Sequence, residues 1–352
     1  MRHRVLSLAL TGLVVLATAA TAFAQVAIIT PTAANGRVDQ IVGFAQTPGV
    51  PPVAPGTFVP QVTATDPTSA AMGTALVPYV QDLDAYFATR FGWRPSQPVT
   101  VVLYPDSTSL SSGLQGFTGG TLSADQLSQA TSQPAALIMA TQAIGQVPAN
   151  SWVIAVNTNI DQAAQQFINS ASQIGSVNAS LVPTGTSTSF SISPDVVSNT
   201  GNNGMAMIQE SLAYQYANVM MNDLAGANGP LWFRQGLPNS IAFAIVPGVP
   251  ADSGLAETVA RYQNVNNTLP TLGQIQDGWN TFLSAGGTSA NLAQGIAFLS
   301  VRTLTNTLSG PKLVDFLKGL GAGQSFNSLL QSSTGFNLDT LNSQYQSLIP
   351  MP

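Results

Sequence analysis

The chain contains no cysteine, so no disulfide restricts its unfolded state and the fold must be held by buried apolar surface. At 352 residues it exceeds the usual size of a single core, which predicts one large or two smaller subdomains. Its single histidine is His3. That residue lies in the basic opening Met1-Arg2-His3-Arg4, ahead of the apolar run 5–20 and the small-residue site Ala22-Phe23-Ala24. This is the layout of a secretory signal peptide. Residues 1–24 are therefore read as a signal peptide and the protein as secreted or extracytoplasmic. If the segment stays uncleaved, 5–24 is long enough to anchor the chain, and the membrane is met through that segment only. A bacterial lipid anchor is excluded because its cysteine is missing.

Cleavage after Ala24 leaves neither histidine nor cysteine. Ser-His-Asp and Cys-His catalysis, imidazole-held metals, zinc knots and iron–sulfur clusters are thereby removed. No cofactor and no metal are expected. Charged residues make up 7% of the chain, 15 acidic against 10 basic for a net charge of −5, with no basic cluster. Nucleic acid is excluded as a partner. Gln, Asn, Ser and Thr fill the solvent positions instead, a coat that suits either an acid-facing protein or a structural component of a cell surface.

Periodicity divides the chain. Residues 25–68 are rich in Pro, Thr, Ala and Gly and read as an extended arm or linker, with an edge strand possible at Phe58-Val59. Leu76, Tyr79, Val80, Leu83, Phe87 and Phe91 recur at helical spacing over 70–91, and Pro78 places the start of the regular helix near itself. Residues 99–104 read as a strand, 113–120 as a glycine loop, 135–143 as a buried run and 152–156 as a second strand. A helix over 161–174 and a strand over 188–193 follow. Asp82 and Asp84, at i and i+2, do not face each other and read as solvated flanks. Beyond 201 the pattern is helical: 203–224, 239–245, 290–308, 311–320, 326–330 and 338–348. The expected class is α+β, a domain over 69–350 with a sheet-bearing part at 69–200 and a helical part at 201–350.

Only Glu210 and Glu257 are glutamates, and Glu210 sits mid-helix among Met207, Ile208, Leu212, Ala213 and Tyr216. Gln209 and Ala213 share one face at i and i+4, with Glu210 directly after the first. In the His-Glu-x-x-His zinc helix two imidazoles occupy those flanking positions. Downstream runs Leu231-Trp232-Phe233-Arg234-Gln235-Gly236-Leu237-Pro238. With these elements the sequence resembles the gluzincin metallopeptidases, specifically the peptidase MA-like group, whose zinc helix is followed by a Trp-Leu-x-Glu-Gly-Leu-Ala element carrying the third ligand. Leu269-Pro270-Thr271-Leu272-Gly273-Gln274-Ile275 is similar to that family's connector. Segments 297–304 with 310–317, and 323–338, are similar to its closing helices.

The resemblance implies a gluzincin (thermolysin-like) architecture with a cleft between the two parts. It places the former metal-ligand positions at Gln209, Ala213 and Gln235, a vestigial catalytic carboxylate at Glu210, and Trp232, Tyr214 and Tyr216 as cleft or packing residues. Two neutral amides and a methyl group do not hold zinc. The implied protein is a pseudopeptidase that keeps a cleft for an extended peptide or protein segment, taken against an edge strand near 152–156. Glu210 is then structural, held by Gln235 or by backbone, and Gln209 and Gln235 pair with each other. Two alternatives stay open: an active peptidase with a metal-independent or atypical site at Glu210, and a structural cell-surface protein.

Overall fold

The computed structural model describes residues 26–28, 42–44, 58–131, 133–163, 200–246, 250–266, 268–284 and 287–349. The signal segment 1–24, most of the arm, the strand expected at 188–193 and the expected helix beyond residue 163 lie outside the described residues. In the arm, β1 (Val26–Ile28) pairs antiparallel with β2 (Val42–Phe44), placing Ala27 opposite Gly43. β3 (Gln61–Ala64), β4 (Val99–Tyr104), β5 (Ala135–Ala140) and β6 (Ser151–Asn157) form a four-stranded sheet in the order β3-β4-β6-β5. β3, β4 and β6 run parallel, and β5 is antiparallel to β6.

The helices are α1 (Pro67–Phe91), α2 (Ser107–Phe117), α3 (Ala124–Thr131), α4 (Thr200–Ala225), α5 (Leu231–Ile245) and α6 (Pro250–Asn266). They continue as α7 (Leu272–Ser284), α8 (Gly287–Thr307), α9 (Gly310–Gly321), α10 (Phe326–Thr334) and α11 (Leu338–Gln346). The class is therefore mixed α+β, mostly helical with a small sheet. Among the described residues no helix is long and apolar enough to cross a membrane.

β4 and β6 are buried along their whole length, because the sheet is covered on both faces. On one face Val101, Leu103, Leu137, Ile154 and Val156 join the main core with Leu76, Leu83 and Phe87 of α1 and Ile208, Leu212 and Tyr216 of α4. On the other, Val102, Ile138, Val153 and Ala155 meet Leu110, Leu114 and Phe117 of α2. The main core continues without a break into α5, α8 and α9.

Several expectations are corrected. Pro78 does not start its helix; it lies inside α1, which begins eleven residues earlier at Pro67. There the Asp66 side chain accepts from the Thr68 and Ser69 N–H groups, capping α1 before its first proline. The glycine loop is largely α2. Asp106 caps it through the Ser109 N–H, and Leu110, Leu114 and Phe117 are buried at helical spacing. Gly113 is needed inside that helix because a Cβ there would run into the Tyr104 ring and hydroxyl. The connector at 269–275 opens α7. Thr271 and Gln274 cap each other reciprocally there, and Leu272, Ile275 and Trp279 are buried. Finally, 152–156 is not an edge: β6 lies between β4 and β5, and among the described strands the edges are β3 and β5.

Candidate functional site

α4 carries the candidate residues and is tied to its surroundings along most of its length. Near its start the Tyr79 hydroxyl donates to the Gln209 carbonyl at 2.9 Å. One turn and a half later the Gln215 amide donates to the Ala135 carbonyl on β5 at 3.1 Å. Tyr216 donates to Asp84 Oδ1 at 3.0 Å, and the Arg94 guanidinium pairs with Asp84 Oδ2 at 3.1 Å. Asp84 is therefore a buried structural carboxylate, unlike the exposed Asp82. Its helix turns it inward toward a phenol supplied from far along the chain. Burial, reinforced by the Asp84 charge, pushes the Tyr216 hydroxyl well above the usual phenol range.

The C-terminal half of α4 is bound more tightly still. Asp223 accepts from Trp93 Nε1 at 3.0 Å, from the Ser96 N–H at 3.1 Å and from the Ser96 hydroxyl. Burial raises its carboxyl above the ordinary value, against the lowering effect of those donors. Arg234, the buried neighbour of Gln235, donates to the Gly226 carbonyl, to the Asn228 carbonyl at 3.3 Å and to Asn222 Oδ1 at 3.1 Å. A cation here satisfies carbonyls of the turn that follows α4 and meets the negative end of the helix dipole. Burial lowers the guanidinium to about 10, still charged at neutral pH. Neither Arg234 nor Asp223 stood out in the sequence. The available signal was an arginine set in an apolar run and an aspartate near a helix end.

Every residue assigned to the site is buried except Gln209, which is half-buried. Glu210 and Ala213 are 0% exposed and Gln235 is 1% exposed. They do not form the open floor of a cleft. Tyr216 is a packing residue: its ring stands edge-on to Phe87 and Trp93 at 4.9 and 5.8 Å between centroids. Trp232 packs likewise against Phe233 and Phe326, and Tyr214 is buried in the main core. The expected pairing of Gln209 with Gln235, and of Gln235 with Glu210, does not form. Both polar atoms of the Gln235 amide are buried with no hydrogen-bond partner among the described residues. Arg234 explains this in part, because it fixes the start of α5 to Asn222, about 18 Å along the helix axis from Glu210.

The seam between α5 and α8 holds further unmatched polar groups. α5 runs parallel to α8, since Gly236 abuts Ala297 and Val301 while the Ser240 and Thr305 hydroxyls meet at 3.2 Å. Gln294 lies one turn before Ala297 on that same face of α8. Gln294 Nε2, Asn291 Oδ1 and Trp232 Nε1 are buried and also lack a hydrogen-bond partner among the described residues. The seam thus offers neutral amide and indole groups. Gln209, Ala213 and Gln235 supply two amides and a methyl group, and this donor set does not fit zinc, which takes thiolate, imidazole and carboxylate ligands. Among the described residues no three His, Cys, Asp or Glu side chains converge on one point.

β5 presents the other feature of interest, an antiparallel edge beside α4. Trp152 N–H donates to Pro98 on the β4 side, while Asn157 N–H donates to Pro134 on the β5 side. Odd-numbered residues of β6 therefore bond β5, through its even-numbered residues. The N–H and C=O groups of Ala135, Leu137 and Met139 point outward, and the Ala135 carbonyl takes the Gln215 amide. No family model, no curated protein and no solved structure matches this chain.

Proposed function

We propose that this is an extracytoplasmic protein with a peptidase MA-like frame whose metal chemistry has been lost, and that it acts by binding an extended peptide or protein segment without cleaving it. One observation carries the reading. Beside the Gln209-Glu210-x-x-Ala213 helix stand a helix that opens with Trp232 and Gln235 and an antiparallel strand tethered to the candidate helix, elements that suit such a frame. At the positions where such a frame would hold zinc, the side chains cannot do so. Glu210, fully buried, has no metal-bound water to activate and serves the interior of the frame.

The burial of the candidate residues moves the binding surface away from them. The chemistry that suits an extended chain is the outward backbone of β5, which is buried in this structure and would be offered for strand addition once uncovered. Calorimetric titration with extended peptides, run beside a casein assay at acid and neutral pH with and without zinc, tests the reading. The expected result is peptide binding with no turnover. Turnover abolished by Glu210→Gln would establish an enzyme and overturn it.

A further inference from the structure

The outward edge of β5 poses a problem that its own strand cannot solve. Leu137 is 1% exposed although it lies on an edge, and among the described residues no hydrogen bond reaches the N–H or C=O of Leu137 or Met139. Bare edge groups in water are tolerable, but buried backbone groups need partners. Besides β6, the described strand in contact with β5 is β2, which belongs to the arm. β2 has its other side bonded to β1, with Val42 opposite Ile28 and Phe44 opposite Val26. It lies beside β5 without being joined to it by a ladder.

We infer that the arm strand Val42–Phe44 is the resident occupant of the β5 edge, closing it in cis and giving way when an external extended peptide takes the same place. Short strands separated from the sheet by a Pro- and Gly-rich tether suit such an occupant. Covalent linkage keeps the local concentration of the strand high. The strand carries Gly43 at its centre, which weakens it as a strand and keeps it displaceable. The exchange part of this inference rests on the peptide-binding reading above; the cover itself does not.

The test uses the whole chain, as wild type and as Gly43→Pro. Proline at 43 removes a backbone donor and disturbs the pairing with Ala27, in a strand outside the four-stranded sheet. Backbone hydrogen exchange over 135–140 is compared with that of the interior strand 99–104. The expected result is exchange at Leu137 and Met139 about tenfold faster in the variant, with 99–104 unchanged. Equal protection of 135–140 in both chains overturns the cover. A synthetic peptide spanning 39–47 is then titrated into each chain, and about tenfold tighter binding to the variant is expected because the competing strand is gone. Equal affinity for the two chains overturns the exchange. If exchange speeds up in the variant and the peptide binds neither chain, the cover stands and the peptide-binding reading falls.

Discussion

The junction of α5 with α4 and the interior of α5 and α8 treat buried polar groups in opposite ways. At the junction with α4, Asp223, Asn222 and the Gly226 carbonyl are each matched by Trp93, Ser96 or Arg234. In α5 and α8, Gln235, Gln294, Asn291 and Trp232 are buried just as deeply, yet Gln235 Oε1 and Nε2, Gln294 Nε2, Asn291 Oδ1 and Trp232 Nε1 have no hydrogen-bond partner among the described residues. The first pattern is what a stabilising network looks like, since satisfied polar groups fix one arrangement of elements. The second stabilises nothing by itself and costs free energy for each unmatched group. Under the proposed reading, Gln235 stands where the third ligand of such a frame would stand, and that reading accounts for an amide kept at this cost.

Substitutions at each place sharpen that contrast. The largest effect is expected for Asp223→Ala, which strands the Trp93 indole and both Ser96 donors; a loss of about 3 kcal/mol in urea unfolding is predicted. Next comes Gly236→Ala. Its Cβ would sit 2.5 Å from the Ala297 carbonyl oxygen and 2.8 Å from Val301 Cγ2, forcing α5 and α8 apart for about 2 kcal/mol. A smaller change of opposite sign is expected for Gln235→Leu. Exchanging an unmatched buried amide for an apolar group of similar volume should stabilise by about 1 kcal/mol. A comparable loss instead would show that Gln235 is structurally matched and would erase the contrast.

The smallest effect is a pH dependence. Asp223 has its carboxyl raised by burial, so the folded state holds its proton more strongly than the unfolded state, whose value is about 3.8. Its stabilising contribution is complete below that unfolded value and is lost as pH rises through the raised folded value. Asp223→Asn cannot show this loss. The stability gap between wild type and Asp223→Asn, measured by thermal unfolding from pH 3 to 7, should therefore narrow as pH rises. A constant gap would mean the carboxylate is fully compensated by its donors.

Much of the architecture was legible because apolar spacing is local information. α1, β4, β6, α4, α8 and α9 all announce themselves by period. α2 did not, since Gly113 and Gly116 depress helix propensity, and only the Tyr104 side chain pressed against position 113 explains the glycine there. α7 was hidden by a leucine–proline segment that looked like a connector, although the Thr271/Gln274 cap was present in the sequence. Strand order is tertiary information: nothing within 152–156 says that β5 folds back beside it and takes the edge. Asp84 was misjudged for the same reason, because its partner Tyr216 is remote in sequence. For the site, the identities at Gln209, Ala213 and Gln235 were readable, whereas their burial and the unmatched state of the Gln235 amide were not.

The central claim is that a zinc-binding frame persists here without ligands, and restoring the ligands tests it most directly. Zinc is titrated calorimetrically into the whole chain and into the Gln209→His, Ala213→His, Gln235→Glu triple variant, with circular dichroism checking that the variant is folded. The account predicts no zinc bound by the wild type and one ion per chain in the variant. A wild-type chain that binds zinc at α4, or a folded triple variant that binds none, would contradict it.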